Sequence, residues 1–525
     1  MIEKIQEILD PFTRAGINKL DGQILGMFIK AADEVLSILK EQDVPKAEAH
    51  KLLTYSAIYA NIVAVTPYKT TDQWLDLFTD PVKLMFLYTG RNKKVLDSRP
   101  FFRFNRNLAS LWFAQFVLPV IGCTDNMLQS NLENHYKLMN YKCIFLPQST
   151  HAYFWSDYFS PDVAKKVKHS FNKSLSLPAT VNYPKSKNIA IVTGNWKPTH
   201  AVVKSIGRVV YALAEKYDLT LVHLGPIDPT ADLTIFKNVL QVSGLDLSEI
   251  QTTNFGLVLF LDIGLTPESI YLSNMRLAPV QVACLGHPVS GRSNKIDYFL
   301  SGRSIETTQA NYAENLILVP GTGVLPYLPE YQRKHPQPAP MRVAVPWSAI
   351  KYNIQMFECL KELQDAGAHL VFIPGNAIHR YQASIPIRMS MLDYFGRDIT
   401  IVPNLQYTNY MEVLETCQFA VDSYPFGGYN TIVESLWCGL PIVTLEGNQW
   451  FNRVASYLLR RVGLEELITD NYKQYTEVAK SLLDPSKLDR IRQQVSKVDF
   501  EQLIASDKTE DFVTAIGKLT GVKNE

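Results

Sequence analysis

No Asp-x-Asp triplet occurs anywhere in the chain, and no His and Cys cluster has metal-ligand spacing. The sequence therefore offers no hard carboxylate site for a divalent cation and no zinc site, and metal chemistry is disfavoured. Cysteine is scarce. The six present (Cys123, Cys143, Cys284, Cys359, Cys417 and Cys438) contain no C-x-x-C pair, and most lie in apolar runs such as VACLG and LWCGL; they read as reduced core thiols. No run reaches the ~18 to 20 apolar residues that span a bilayer. The start, MIEKIQEILDPFTRAG, lacks the basic segment, apolar stretch and cleavage site of a signal peptide, which leaves the cytoplasm as the expected compartment. Nor is there a surplus of charge: 52 Lys plus Arg face 51 Asp plus Glu, so no overall field draws the protein to nucleic acid or an anionic membrane. Any phosphate site must be local.

What is present is ordinary globular composition, with 46% hydrophobic and 20% charged residues over 525 positions. That length exceeds one hydrophobic core and points to about three domains. Over residues 1–185 the apolar positions recur at three and four, as in Ile2, Ile5, Ile8, Leu9 and in Phe28, Ile29, Ala32, Val35, Leu36, which predicts an α-helical domain. Its aromatic clusters, Phe101, Phe102, Phe104 and Trp112, Phe113, Phe116, read as helix packing.

At Asn188 the texture changes to short apolar runs bounded by Gly, Pro and Asn, alternating with amphipathic stretches. This pattern predicts βα units and a parallel sheet. The expected strands are 188–194, 219–225, 256–264, 280–286 and 296–302, with a helix over 201–217. Residues 332–340, QRKHPQPAP, read as an extended linker. A second βα series follows: MRVAVPW, HLVFIPG, ITIVPN, QFAVDSYPFGG and PIVTLEG. The expected fold is α/β: two Rossmann-like domains, 186–331 and 341–525, facing a cleft suited to a nucleotide-linked substrate and preceded by the helical domain.

The chemistry concentrates in residues 420–447. A buried strand ends in Pro425, Phe426, Gly427 and Gly428, and a helix starts near Asn430 and Thr431. Glycines admit a ligand close to the backbone, and helix-start amides favour an anion such as a diphosphate. Glu434, one turn in, can accept hydrogen bonds from ribose hydroxyls; Thr431 and Glu434 also fit a capping box. Lys351 follows the first strand of the C-terminal half, where its ammonium can neutralise a phosphate, or it is a solvated surface lysine. His200 opens the helix after strand 188–194, where it can bind the sugar, act as a general base or simply cap the helix. The loop Gly286-His287-Pro288 to Ser293 closes another strand; Arg292 there can meet a phosphate or an acidic acceptor, or the segment is an ordinary turn.

These residues resemble glycosyltransferase family 41, which contains O-linked N-acetylglucosamine transferases and bacterial cytoplasmic protein N-glycosyltransferases of adhesins. The resemblance rests on SNMRLAPVQVACLGHPVSGRSNKIDYFLSG (273–302) and SYPFGGYNTIVESLWCGLPIVTLEG (423–447), covers roughly 186–515, and is nearer the bacterial branch in GHP and PFG. It implies a GT-B fold (C-terminal domain on the UDP-sugar side, 186–331 on the acceptor side) and inverting, metal-independent transfer of glucose or N-acetylglucosamine from a UDP-sugar to an Asn or Ser/Thr side chain of a flexible or unfolded polypeptide, with no cofactor. It gives Lys351 to the diphosphate, Glu434 to the ribose in place of the family's aspartate, Asn430 and Thr431 to the helix-start contacts and His200 to the histidine after the first strand. Gly427, Gly428, His287 and Tyr410 join the donor-binding set, although the segment around Thr408 and Tyr410 departs from the family's histidine pattern. Two other readings stand beside it: UDP-sugar transfer to a glycan, lipid or small molecule, and a catalytically silent GT-B partner of another glycosyltransferase.

Overall fold

A computed structural model describes residues 1–13, 21–118, 143–175, 186–244, 250, 253–336, 341–375, 384–504 and 508–520. The chain forms two compact units. The first comprises Met1–Ser170, Arg333–Pro425 and Asn471–Leu488; the second comprises Phe171–Gln332, Phe426–Asp470 and Asp489–Glu525. Each unit therefore takes in chain from both sides of residue 332.

The second unit contains a wholly parallel sheet of β1 (Ile189–Thr193), β2 (Leu219–Leu224), β3 (Asn238–Val242), β4 (Leu257–Phe260), β5 (Val280–Cys284), β6 (Tyr298–Gly302) and β7 (Asn315–Val319), in the order β3-β2-β1-β4-β5-β6-β7. Every residue of β1, β2 and β4 is buried, as continuous Val/Ile/Leu runs in a sheet covered on both faces require. β3 and β7 were not expected from the sequence. They are the two edges, mostly solvent-accessible along their length, so neither shows an uninterrupted apolar run. The helix Ala201–Ala214 covers β1 and β2 with Val202, Val203, Ile206, Val209, Val210 and Leu213. The late helix Thr509–Thr520 returns to pack on it, adding Phe512, Val513 and Ile516 to the same core.

In the first unit the helices up to Ser170 build an aromatic core. The Tyr88 and Trp112 rings stack at 5.9 Å, and Trp112 Nε1 donates to the Tyr88 carbonyl at 2.7 Å. Phe101, Trp112, Phe113 and Phe116 are buried as expected; Phe104 departs from that expectation, being exposed at the end of its short helix. Lys168 and Asp157, both buried, pair at 2.8 Å. The same unit holds β8 (Arg342–Val345), β9 (His369–Phe372), β10 (Ile399–Ile401) and β11 (Phe419–Val421), parallel and in the order β10-β9-β8-β11. The helix Ser384–Phe395 packs on Ser56–Val65, so the early helices share a core with this half. Two further parallel strands, β12 (Ile442–Leu445) and β13 (Ile468–Thr469), lie in the second unit.

Five cysteines are free and buried; Cys123 lies outside the described residues. The proline-rich segment has no helix or strand over 332–336 and is anchored. Lys334 and His335 donate their amides to the Glu415 carboxylate at 3.0 and 3.3 Å, and Lys334 pairs with Glu412. Residues 337–340 lie outside the described set.

Candidate active site

The glycine turn is held on its second-unit side by aromatic stacking. Phe426 lies parallel to Phe451 with centroids 4.2 Å apart, the Gly427 amide donates to the Phe451 carbonyl at 3.1 Å, and Tyr429 stacks on Trp450 at 6.3 Å. The helix Tyr429–Trp437 starts on Gly428, which is extended (φ −132°, ψ 135°) and supplies no capping side chain. The first turn, Tyr429 to Thr431, therefore receives no cap from the Gly428 side chain, and the positive end of the helix dipole lies there. The Thr431–Glu434 capping box does not form: the helix begins three residues earlier, so Thr431 is already inside its first turn. Glu434 is buried, and its Oε1 lies 4.0 Å from Lys204 Nζ.

Lys204 escaped the sequence reading, yet it stands one helical turn after His200, whose carbonyl accepts its amide at 3.0 Å. His200 is the N-cap of Ala201–Ala214, and its Nδ1 accepts from the Val202 amide at 3.3 Å. The capping role is therefore realised. It leaves the proton of a neutral imidazole on Nε2, where His200 is a hydrogen-bond donor; work as a base through Nδ1 requires release of the cap.

His287 is buried, and its ring lies parallel to Phe426 at 6.3 Å. Gly286 before it is fixed by space: a Cβ there would fall 2.2 Å from the Leu261 carbonyl oxygen. The loop is tied by Glu314, a buried carboxylate that accepts from Ser290 Oγ at 2.6 Å and from the Arg292 amide at 3.2 Å. Arg292 takes a left-handed backbone (φ 57°) and donates its guanidinium to the Asn311 carbonyl at 2.9 Å.

In the first unit, Lys351 ends the short turn Ala349–Lys351 after β8. Burial pushes its ammonium down to about 8, opposed by the Asp422 carboxylate. Asp422 is itself buried beyond β11, with Oδ1 accepting from the Ser423 amide at 2.9 Å. Tyr410 is half-buried in Tyr407–Glu415, its ring 6.2 Å from that of Tyr407. The second unit thus collects His200, His287, Gly427, Gly428, Asn430, Thr431 and Glu434, with Lys204 and Phe426 linking them; Lys351 and Tyr410 belong to the first. Among the described residues no group of three or more His, Cys, Asp or Glu is placed to hold a metal ion. None of the helices described is long and apolar enough to cross a membrane.

Residues 416–509 match the model of glycosyl transferase family 41. The matched segment takes in the glycine turn, Asn430, Thr431, Glu434 and the strands around them. The UDP-glucose:protein N-beta-glucosyltransferase of Actinobacillus pleuropneumoniae serotype 7 (strain AP76) is 28% identical over 237 residues, covering 42% of this chain and 37% of that protein. The serotype 5b (strain L20) enzyme of the same name is 25% identical over 331 residues, covering 58% of this chain and 52% of the relative. The match thus spans about half or less of these relatives' length. A solved structure of a Thermobaculum terrenum O-GlcNAc transferase mutant superposes with a TM-score of 0.58 at 16% identity, covering 98% of this chain and 96% of that one. This likeness shows the fold: parallel α/β sheets of the GT-B class with a helical N-terminal region.

Proposed function

We propose that the protein is a UDP-sugar-dependent glycosyltransferase that moves glucose or N-acetylglucosamine to a protein side chain, acting in the cytoplasm without a metal. The observation that carries this reading is the glycine-started helix Tyr429–Trp437 with buried Glu434 in its second turn, inside the family 41 segment. The positive end of a helix started by a glycine suits a diphosphate, and the carboxylate suits ribose hydroxyls. In the reaction the acceptor side chain forms a bond to the anomeric carbon, the bond from that carbon to the diphosphate oxygen breaks, and UDP leaves with the electron pair. Stabilising the charge that develops on UDP is the role proposed for Lys351, and that stabilisation must be stronger in the transition state than in the ground state. The acceptor gives up its proton to solvent water, and the segment carrying the acceptor must be extended and flexible to bring its side chain to reaction distance.

UDP is expected to raise the melting temperature in EDTA, since a ligand selective for the native state stabilises it by about 2.7 kcal/mol at one hundred times Kd. Incubation with UDP-glucose or UDP-N-acetylglucosamine and a peptide library, read by intact mass, then tests transfer. A gain of one hexose on Asn-x-Ser/Thr peptides marks N-linkage, and a gain on Ser/Thr peptides without Asn marks O-linkage. Modification of a glycan or lipid but of no peptide overturns the protein-acceptor reading.

A further inference from the structure

The turn leading from β1 into the helix Ala201–Ala214 is tied to a buried carboxyl group that the site above does not use. Strand order reverses between β1 and β4, and at such a reversal the crossovers diverge and leave a crevice at the carboxyl ends of the strands. Asp262 stands two residues beyond β4, only 1% exposed. Its Oδ2 accepts from Thr193 Oγ1 at 2.9 Å and from Asn195 Nδ2 at 2.5 Å, while its Oδ1 is buried with no partner of hydrogen-bond geometry. The connection continues along the backbone: the Asn195 carbonyl accepts from Lys197 at 2.8 Å, the Lys197 carbonyl from His200 at 2.9 Å, and the His200 carbonyl from Lys204 at 3.0 Å.

We propose that Asp262 is a positioning residue for the transfer reaction, setting the turn from Thr193 to His200 and with it the place of the His200 imidazole. The inference rests on the glycosyl-transfer reading of this site. Burial pushes the Asp262 carboxyl up to about 7, against the hydrogen bonds from Asn195 and Thr193, so its charge changes in the neutral range. Protonation on Oδ1 leaves Oδ2 a carbonyl, a weaker acceptor than a carboxylate; the turn loosens as pH falls through this range. Other titratable groups on the flanking elements are few. Cys284 on β5 is a thiol that burial pushes up to about 12. His223 on β2, the register partner of Thr193, is pushed down by burial. His287 follows β5, and Lys197 is engaged by Asp228 at 2.9 Å.

The test uses the full chain with Asp262→Asn and Asn195→Ala, UDP as the binding probe, and UDP-glucose plus an accepted peptide for turnover. UDP should shift the melting temperature of both variants as it does the wild type. Turnover should fall about 10-fold or more with KM for the donor changed less than about twofold, and the wild-type rise in kcat between about pH 6 and about pH 8 should flatten in Asp262→Asn. In histidine-labelled protein, the His200 ring resonances should move in Asp262→Asn relative to wild type when both are compared at a pH where the imidazole is neutral. A His200 spectrum indifferent to Asp262→Asn, or a wild-type kcat and pH profile in that variant, overturns the proposal. Should Asp262→Asn fail to fold, Asn195→Ala breaks the same connection with the carboxyl retained, and unchanged kcat there overturns it equally. Absence of any UDP shift in the wild type instead counts against the glycosyl-transfer reading, while the histidine spectra still decide whether Asp262 governs His200.

Discussion

The Lys204 ammonium lies 4.0 Å from the Glu434 carboxylate, so a lysine on the helix opened by His200 meets the acid on the helix opened by the glycine turn. The pair is partly exposed, at 28% and 11%, and a contact of this length contributes at most about 1 kcal/mol to stability. On the proposed glycosyl-transfer reading, it holds Glu434 in place for the ribose. Lys204→Met should leave the melting temperature within a few degrees of wild type and weaken UDP binding about 3- to 10-fold, with Glu434→Ala weaker still, as titration calorimetry would measure. Unchanged UDP affinity in both variants removes Glu434 from the ribose.

Lys351 carries a folding cost. Its ammonium is held at about 8 against an ordinary 10.5, so the native state binds this proton less readily than the unfolded chain. The resulting destabilisation is full below the folded value and vanishes as pH rises past the unfolded one. Lys351→Met should therefore raise the melting temperature near neutrality, with the gain fading as pH approaches the ordinary lysine range. The same variant should lose about 100-fold or more in turnover, because the charge on leaving UDP goes unmet. Wild-type turnover in Lys351→Met removes the residue from the reaction.

The Glu314 tether of the His287 loop should be visible in KM. Ser290→Ala deletes the 2.6 Å bond to Glu314 and leaves a buried carboxylate short of a donor, at a cost of about 1 to 3 kcal/mol. KM for the donor should rise with a smaller change in kcat, and His287→Ala should raise it further. A Ser290→Ala enzyme with native KM would show that the loop keeps its place without Glu314.

Packing of the late helix supplies a purely structural test. Ile516 is fully buried in the core of the second unit, and Ile516→Ala should cost about 2 to 5 kcal/mol in chemical denaturation. A loss below about 1 kcal/mol would mean that the helix contributes little to that core.

Much of this was legible in the sequence. The buried strands β1, β2, β4 and β5 announce themselves as apolar runs because a strand covered on both faces needs no polar alternation. Edge strands β3 and β7 do not, since all but the last residue of each meets water. The glycine turn, Lys351 and His200 could be singled out as candidates from their place at strand ends and helix starts, where local chemistry is readable from neighbours in sequence. Lys204, Asp262, Asp422 and Glu314 were not. Each acts on a residue brought near by folding: Lys204 on Glu434, Asp262 on Asn195, Asp422 on Lys351 and Glu314 on Ser290. A lone carboxylate beside an apolar run carries no mark of the partner it will meet.

The return of Thr509–Thr520 to Ala201–Ala214 has a consequence for synthesis. Roughly 300 residues separate Leu213 from Phe512, which at about 5 to 20 residues per second puts some 15 to 60 s between making one face and making its cover. Throughout that interval Ile206, Val209, Val210 and Leu213 await part of their partner surface. The nascent chain therefore carries this apolar helix incompletely covered until Thr509–Thr520 has been made, which makes it a natural place for a chaperone to hold.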